Sequence, residues 1–452
     1  MFKKKVELWI VALLCVLFLV ALICYGAVLR HEFLGGSKFS IIRKTALFLA
    51  EIPYNLKPSV LNKKIAQFLN PSAKFIVSNK HSDKPRLKKF IQNEREELLL
   101  LARHNGNLNR SVVEIVDLNT FKVLHTYKHD IDAMQEKIDT EKVQNKHAKG
   151  DNYTKAFSYQ HPLILLDGSI VSHHRGPLFK IDFCSNLVWI NQEEQFHHFN
   201  NLDYEGNYWV GVEMYPYSEI VNKYKRKYGF KDSAIGKVSP DGKILYIKSV
   251  IEILSENNLI DENIFVFNNN DPLHLNDAEP VLKDGPYWKK GDVFVSVAHQ
   301  SAILHYRPSE NKLVNFIKGP FYQQHDVDII SNKEISIFNN NNHLKDNKFS
   351  EVIIYNFETQ SFSTKFNNQL IRNNFKTESS GLVDFLPDGS MMVEERNYGR
   401  ILFFDKDGNL EWEYTNKDDK KNTYRLSWSR FIKDHDLIQN IKHKINNPTC
   451  LN

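Results

Sequence analysis

Four cysteines in 452 residues are too few for a disulfide framework. Cys15 and Cys24 lie in an apolar N-terminal run, and Cys184 and Cys450 stand so far apart that no bridge between them is expected. Net charge is scarce as well, +5 over the whole chain. Lysines alternate with carboxylates, so no nucleic-acid partner is expected. No H-x-H or H-x-x-x-H pair, which would give a metal two ligands from one element, occurs among the histidines singled out below. The one such spacing, His125 and His129, ends the first repeat. The N-terminal run also lacks a convincing A-x-A cleavage site, and Ile23 before Cys24 is too large for a lipoprotein site.

What that end does contain is explicit. Residues 6–29, VELWIVALLCVLFLVALICYGAVL, form a run long enough to cross a bilayer as a helix, with Glu7 its only charge. Lys3, Lys4 and Lys5 precede it, which keeps the tip cytoplasmic and places the remainder on the periplasmic or extracellular side. A retained anchor is favoured over a cleaved signal. Residues 1–29 are thus read as basic tip and transmembrane anchor, and 30–95 as a connector. Within the connector, residues 40–52 place Ile41, Phe48, Leu49 and Ile52 on one helical face, suited to a membrane surface or to packing under the main domain.

From Glu96 the pattern changes to short alternating strands separated by turn residues, and aromatics reach 12% of the chain. Six repeats of about four strands can be counted over residues 96–432, with a tail at 433–452. Asp167-Gly168, Glu205-Gly206, Asp241-Gly242, Asp388-Gly389 and Asp407-Gly408 supply tight hairpin turns. Repeats of this size are propeller blades, so the expected fold is all-β: a six-bladed β-propeller behind an N-terminal transmembrane helix. The polar insert between the first two repeats, residues 129–160, reads as helical, and residues 339–342 read as a loop.

A histidine precedes the strand–turn–strand pattern in four repeats: His161, His198, His274 and His325. Stacking repeats around an axis brings equivalent positions together, so these imidazoles are expected to face one small volume. The sixth repeat has Ser379-Ser380-Gly381 at that place. Taken singly, each histidine is better explained by backbone hydrogen bonding; recurrence is what argues for a shared site.

The runs HLNDAEPVLKDG, DVFVSVAHQSAILHYRP, QQHDVDIISNKEISIFNNN and DFLPDGSMMVEERNYGRILFFDKDGNLEWEY resemble the bacterial arylsulfate sulfotransferases and the wider arylsulfotransferase family, over roughly residues 160–432. The resemblance implies a six-bladed propeller and an exported enzyme that moves a sulfuryl group from an aryl sulfate donor to a phenolic acceptor without a nucleotide donor or other cofactor. It makes His325 in QQHD the nucleophile that forms a sulfohistidine. It makes His274 and Asn276 in HLND the His-x-Asn pair, and His198 in FHHF the upstream channel histidine. A neutral imidazole suits attack on sulfur, and cations or donors suit the sulfuryl oxygens.

One family residue is missing. Where the family carries Ser-x-Arg after the innermost strand of the fourth repeat, this chain has Ser296-Val297-Ala298. Aligned by strands, Arg396 holds the equivalent place in the sixth repeat and His174 in the second, while His299 follows the gap directly. Arg396 has a plainer reading as an ion-pair partner of Glu394 or Glu395. Three functions therefore compete: a sulfuryl-transfer enzyme, a non-catalytic propeller binding sulfated or phenolic ligands, and a histidine-cluster metal site.

Overall fold

The computed structural model describes residues 7–33, 40–55, 74–77, 79–139, 153–222, 231–260, 271–341, 349–447 and 450. The chain divides into two parts, Met1–Asn70 with Asn222–Phe230, and Pro71–Val221 with Lys231–Asn452. In the first, the helix Leu8–Phe33 holds the apolar run. Residues Leu8–Arg30 are long and apolar enough for a membrane span, a test that a signal sequence also passes. The Lys3–Lys5 tip lies outside the described residues. The helix Ser40–Asn55 leans on the first: Tyr25 donates from its hydroxyl to the Ala46 carbonyl at 2.8 Å, and Ala46 is buried. Ile41, Phe48 and Leu49 of its apolar stripe are exposed.

The second part is all-β and propeller-like, built of antiparallel meanders in which sequence neighbours pair. Leu275–Pro280, Val293–Val297, Ala302–Arg307 and Lys312–Lys318 form one four-stranded sheet; Val327–Ile329, Glu334–Asn339, Glu351–Asn356 and Ser361–Thr364 form the next. Val383–Phe385, Met391–Glu395, Arg400–Phe404 and Leu410–Thr415 follow, and Leu87–Lys89 joins their outer edge. Strand Arg430–Ile432 returns to pair with Leu98–Leu100 of the first repeat, so the two ends of the β-region share a sheet and close the ring.

Six separate sheets are expected from the sequence, whereas the described residues form five. The second and third repeats run together into one seven-stranded sheet through Leu187–Leu202, a strand of 16 residues. The cause is local: no glycine or proline interrupts LVWINQEEQFHHFNNL, so nothing turns the chain between the repeats. Its pairing register shifts between His197 and Asn200, which bends the strand there.

The tight turns match their sequence cues. Gly206 and Gly389 have φ of 82° and 88° with no atom near a would-be Cβ, so glycine is needed there for backbone conformation and not for space. Neighbouring sheets bury apolar faces against each other: Leu99, Val116, Met392, Phe403 and Trp412, for instance, join the first repeat to the sixth. Carboxylates stitch the first strands together. Asp277 Oδ2 accepts from the Val327 N–H at 2.9 Å, Asp326 Oδ2 from Val383 at 3.0 Å, and Asp384 Oδ2 from Phe431 at 2.7 Å.

Two further expectations are revised. Cys184 and Cys450 form a disulfide with Cα atoms 5.2 Å apart. The helix His435–Asn446, capped by Asp434, buries Leu437, Ile438 and Ile441 against Ile170, Phe179 and Ile181, which carries the chain end back to the second repeat. Sequence separation hid that proximity. In the insert read as helical, the helix spans only Ile131–Glu136, with Ile131 and Met134 in the same core cluster; residues 140–152 lie outside the described set.

Candidate functional site

The backbone refines the recurrence of histidines. His161, His198 and His274 all adopt left-handed φ, at 40°, 65° and 50°. Non-glycine residues seldom do so, and here it happens where the chain enters the first strand of a repeat. The corresponding residues in the later repeats are Gln323 at 53°, Ser380 at 59° and, before the closing strand, Trp428 at 62°. His325 therefore stands two residues beyond the shared place. In HLND and QQHD the aspartates Asp277 and Asp326 correspond, which sets His274 beside Gln323 and Asn276 beside His325.

The rings nonetheless gather. His198 lies edge-on to His274 with centroids 5.2 Å apart, His274 stacks on His299 at 4.7 Å, and His274 is 6.5 Å from His325. His197 adds a fifth ring, its Nδ1 sharing a proton with Nδ1 of His198 at 2.5 Å. His161 is set apart, stacked on Trp428 at 4.5 Å with Arg430 Nη2 3.5 Å from its Nδ1.

The tautomer of His325 follows from its partners. Asn340 donates from Nδ2 to the carbonyls of Thr377 (2.9 Å) and Ser380 (2.7 Å), so its Oδ1 must face His325 Nδ1, at 2.6 Å. The Gln323 carbonyl lies 3.1 Å from the same nitrogen. Two acceptors at Nδ1 require the proton there, leaving the lone pair on Nε2. That lone pair accepts the Ser380 N–H at 2.8 Å. Burial, then the charge of His274, lowers the pKa of His325 to about 3, so the ring is neutral at physiological pH. Asn340, within the segment read as a loop, is thus an orienting group for His325.

The expected missing-cation geometry is partly met. Ala298 and Arg396 each open a 3₁₀ turn directly after a second strand, Ala298–Gln300 and Arg396–Tyr398, followed by left-handed Ser301 and Gly399. They are structural equivalents. Arg396 extends Nη1 to 3.5 Å from the Ser380 hydroxyl, and its guanidinium lies 4.3 Å from the Trp428 ring centroid. Its Nε has no hydrogen-bond partner. Glu395 is engaged by Lys80, His81 and Arg400, and Glu394 accepts the backbone N–H groups of Trp428 and Ser429. Among the described residues neither forms an ion pair with Arg396. Burial, then repulsion by Arg425, lowers the Arg396 pKa to about 9.

Other sequence candidates divide. Asn276 donates to the Gln324 carbonyl at 2.8 Å and leaves a buried Oδ1 without a partner. His299 joins the cluster through His274, its Nδ1 2.5 Å from the Asp271 carbonyl. His174 is not in the ring cluster; it packs against Phe157 at 5.3 Å, and burial holds its pKa well below the usual range.

Asp271 was not anticipated. Its Oδ2 accepts from His274 Nδ1 at 2.7 Å and its Oδ1 from the His274 N–H at 3.0 Å. Burial works to raise its pKa but is outweighed by the hydrogen bond and charge of His274, leaving it at about 2. The only cue in sequence is its place three residues before His274. Asp271, His274 and His299 each bring a donor atom within 4.8 Å of the others, a set that bears on the metal reading. The Asp271–His274 hydrogen bond already satisfies that carboxylate.

The sequence profile of the arylsulfotransferase (ASST) family matches residues 161–417. No curated protein matches the chain. Among solved structures, a Bacteroides caccae protein of unknown function has 13% identity and a TM-score of 0.48, covering 75% of this chain and 99% of its own. A catalytically inactive virginiamycin B lyase from Staphylococcus aureus with quinupristin has 11% identity and a TM-score of 0.38, covering 74% and 89%. The β-propeller domain of Cps50 (Swd1) from Myceliophteria thermophila has 9% identity and a TM-score of 0.39, covering 72% and 88%. These scores are too low to carry an activity across.

Proposed function

Because this chain belongs to the arylsulfotransferase family, we propose that it transfers a sulfuryl group from an aryl sulfate to a phenol through a sulfohistidine at His325. The observation that carries this reading is the fixed tautomer of a neutral, buried His325, with its lone pair on Nε2. Nε2 attacks sulfur, the S–O bond to the aryl group breaks, and the phenolate departs with the bonding pair. The acceptor phenol then attacks the same sulfur as it gives its proton to His274 Nε2. The N–S bond breaks, returning the lone pair to His325, and His274 passes the proton to solvent. Asp271, bonded to His274 Nδ1, keeps the acceptor nitrogen of His274 on the far side of the ring. Arg396 takes the part of the family arginine replaced by Ala298 and holds sulfuryl oxygens, aided by Asn276 and His198. Attack requires the Ser380 N–H to leave Nε2; once displaced, that N–H becomes a donor to the incoming sulfuryl group.

The same capping bond favours a second reading. A nucleophile whose lone pair is already engaged, beside an alanine in place of the family arginine, also fits a binding protein for sulfated or phenolic ligands. Counting Leu187–Leu202 as shared by two blades gives a six-bladed ring. The Cys184–Cys450 disulfide suits an exported domain, and the apolar helix a retained anchor. The test is incubation with 4-nitrophenyl sulfate, acid-free quenching and peptide mass analysis. One sulfuryl group is expected on the His325 peptide, with phenol-dependent release of nitrophenolate that His325→Ala abolishes. Tight binding of the aryl sulfate with neither adduct nor release would favour the binding protein.

A further inference from the structure

Beside the histidine cluster lies a cavity of about 170 Å³, a size that takes a single aromatic ring. Its wall includes the imidazoles of His197, His198 and His274, faces against which an aromatic ring packs. Apart from Leu275, the remaining wall is polar. Lys231 pairs with Glu213 at 3.3 Å, and Asp271 accepts a hydrogen bond from His274 at 2.7 Å. Arg175 lines the cavity from a solvent-exposed position and forms no ion pair among the described residues. The chain holds it there at some cost, since Arg175 has φ of 47°, a conformation cheaper for glycine. Its carbonyl is tied by Gln195 Nε2 at 3.3 Å, which fixes the turn from which the side chain extends. Its charge reaches the reacting region: after burial and the neighbouring histidines, Arg175 is among the causes that depress the His198 pKa.

We propose that Arg175 is a specificity residue that binds an anionic substituent, a carboxylate in its simplest form, on the aromatic partner of sulfuryl transfer. The proposal rests on the sulfotransferase reading for the identity of that partner. A cavity lined by imidazoles, with a guanidinium that has no ion-pair partner at its exposed side, suits an aromatic ring bearing one negative group; a plain phenol would leave that guanidinium to water. The anion can belong to the donor or to the acceptor, and the chemistry at Arg175 is the same.

Four compounds distinguish the cases. Phenyl sulfate is compared with the sulfate ester of 4-hydroxybenzoate as donors, and phenol with 4-hydroxybenzoate as acceptors, using the full chain and its Arg175→Gln and Arg175→Lys variants. The expected result is that the preference for the carboxylated compound, as a ratio of kcat/KM values, falls about tenfold to a hundredfold in Arg175→Gln in one arm, with partial recovery in Arg175→Lys. The arm affected identifies donor or acceptor. Melting temperatures of the variants are measured alongside, so that a folding defect is recognised. Ratios unchanged in both arms overturn the proposal while leaving sulfuryl transfer intact. If the protein turns nothing over, equilibrium dialysis replaces kinetics. Loss of the carboxylate's binding advantage in Arg175→Gln then supports the site though the transfer reading has failed, and equal binding overturns it.

Discussion

Two cavities border the first strands of the sheets, one with histidines and the other with carboxylates prominent among the ionisable groups that line it. One, of about 170 Å³, meets His197, His198 and His274; the other, of about 270 Å³, meets Glu279, Asp326, Asp328 and Asp384 together with Arg430 and Lys433. Burial acts on both in the same way, by disfavouring charge, with opposite consequences for pKa. It lowers His325 and His197 to about 3, and raises Asp277 and Asp328 to about 7. What separates them is where their polar atoms go. Asp277, Asp326 and Asp384 accept backbone N–H groups of the following strand, whereas the imidazoles divide their contacts among side chains, backbone groups and one another. The carboxylates tie each first strand to the next, while the histidines gather in one cluster.

That division is broken most directly at Arg396. Arg396→Ala is expected to lower kcat for aryl sulfate turnover about a hundredfold to a thousandfold, as loss of an oxyanion donor does, with little change in melting temperature. Ala298→Arg in the otherwise unaltered chain should change turnover little, because the cation is already supplied. A gain of activity at Ala298→Arg, with none lost at Arg396→Ala, would move the chain to the binding class.

A smaller effect is expected one step out. Asn340→Leu removes the acceptor that fixes the His325 tautomer, and kcat should fall about tenfold to a hundredfold, the scale seen when an orienting partner of a working histidine is lost. KM should hardly move, since Asn340 is buried behind the ring.

On the carboxylate side the readout changes from rate to stability. Asp384→Ala leaves the Phe431 N–H without its acceptor and Lys433 without its ion-pair partner. Chemical denaturation should show a loss of about 1–3 kcal/mol, the cost of an orphaned buried group, with turnover per folded molecule preserved. A rate defect larger than the stability defect would mean that the two cavities are not separate in function.

The sequence carried the strands, the hairpin glycines and the gathering of His198, His274 and His325, because these depend on period-two patterning and on repetition. It was silent where the outcome depended on a missing signal or on long range. Nothing in LVWINQEEQFHHFNNL announces that two repeats share one strand, and the Cys184–Cys450 bridge depends on how the terminal helix docks. Exact equivalence among repeats was also beyond it: His325 looks like His274 until φ shows that Gln323 holds that place. Asp271 and Asn340 were overlooked because a carboxylate or amide that orients a histidine has no spacing of its own.

The smallest predicted effect compares the two cavities through pH. A histidine whose folded pKa is depressed binds fewer protons folded than unfolded, so its contribution to stability is intact above the unfolded value of about 6.5 and erodes as pH falls toward its folded value. His325 and His197 at about 3, and His173 at about 4, act in this sense. Asp277 and Asp328 act oppositely: folded at about 7 against about 3.9 unfolded, they take up protons preferentially in the native state as pH falls through that window. Between pH 6.5 and 4 the two sets offset each other, so the melting temperature should decline only gently. In Asp277→Asn with Asp328→Asn the offset is removed, and the decline over the same interval should steepen. Parallel curves for the two proteins would mean that these carboxylates are ionised in the folded state and compensated by Arg430 and Lys433. The cavities would then differ in charge, and not only in which atoms their side chains hold.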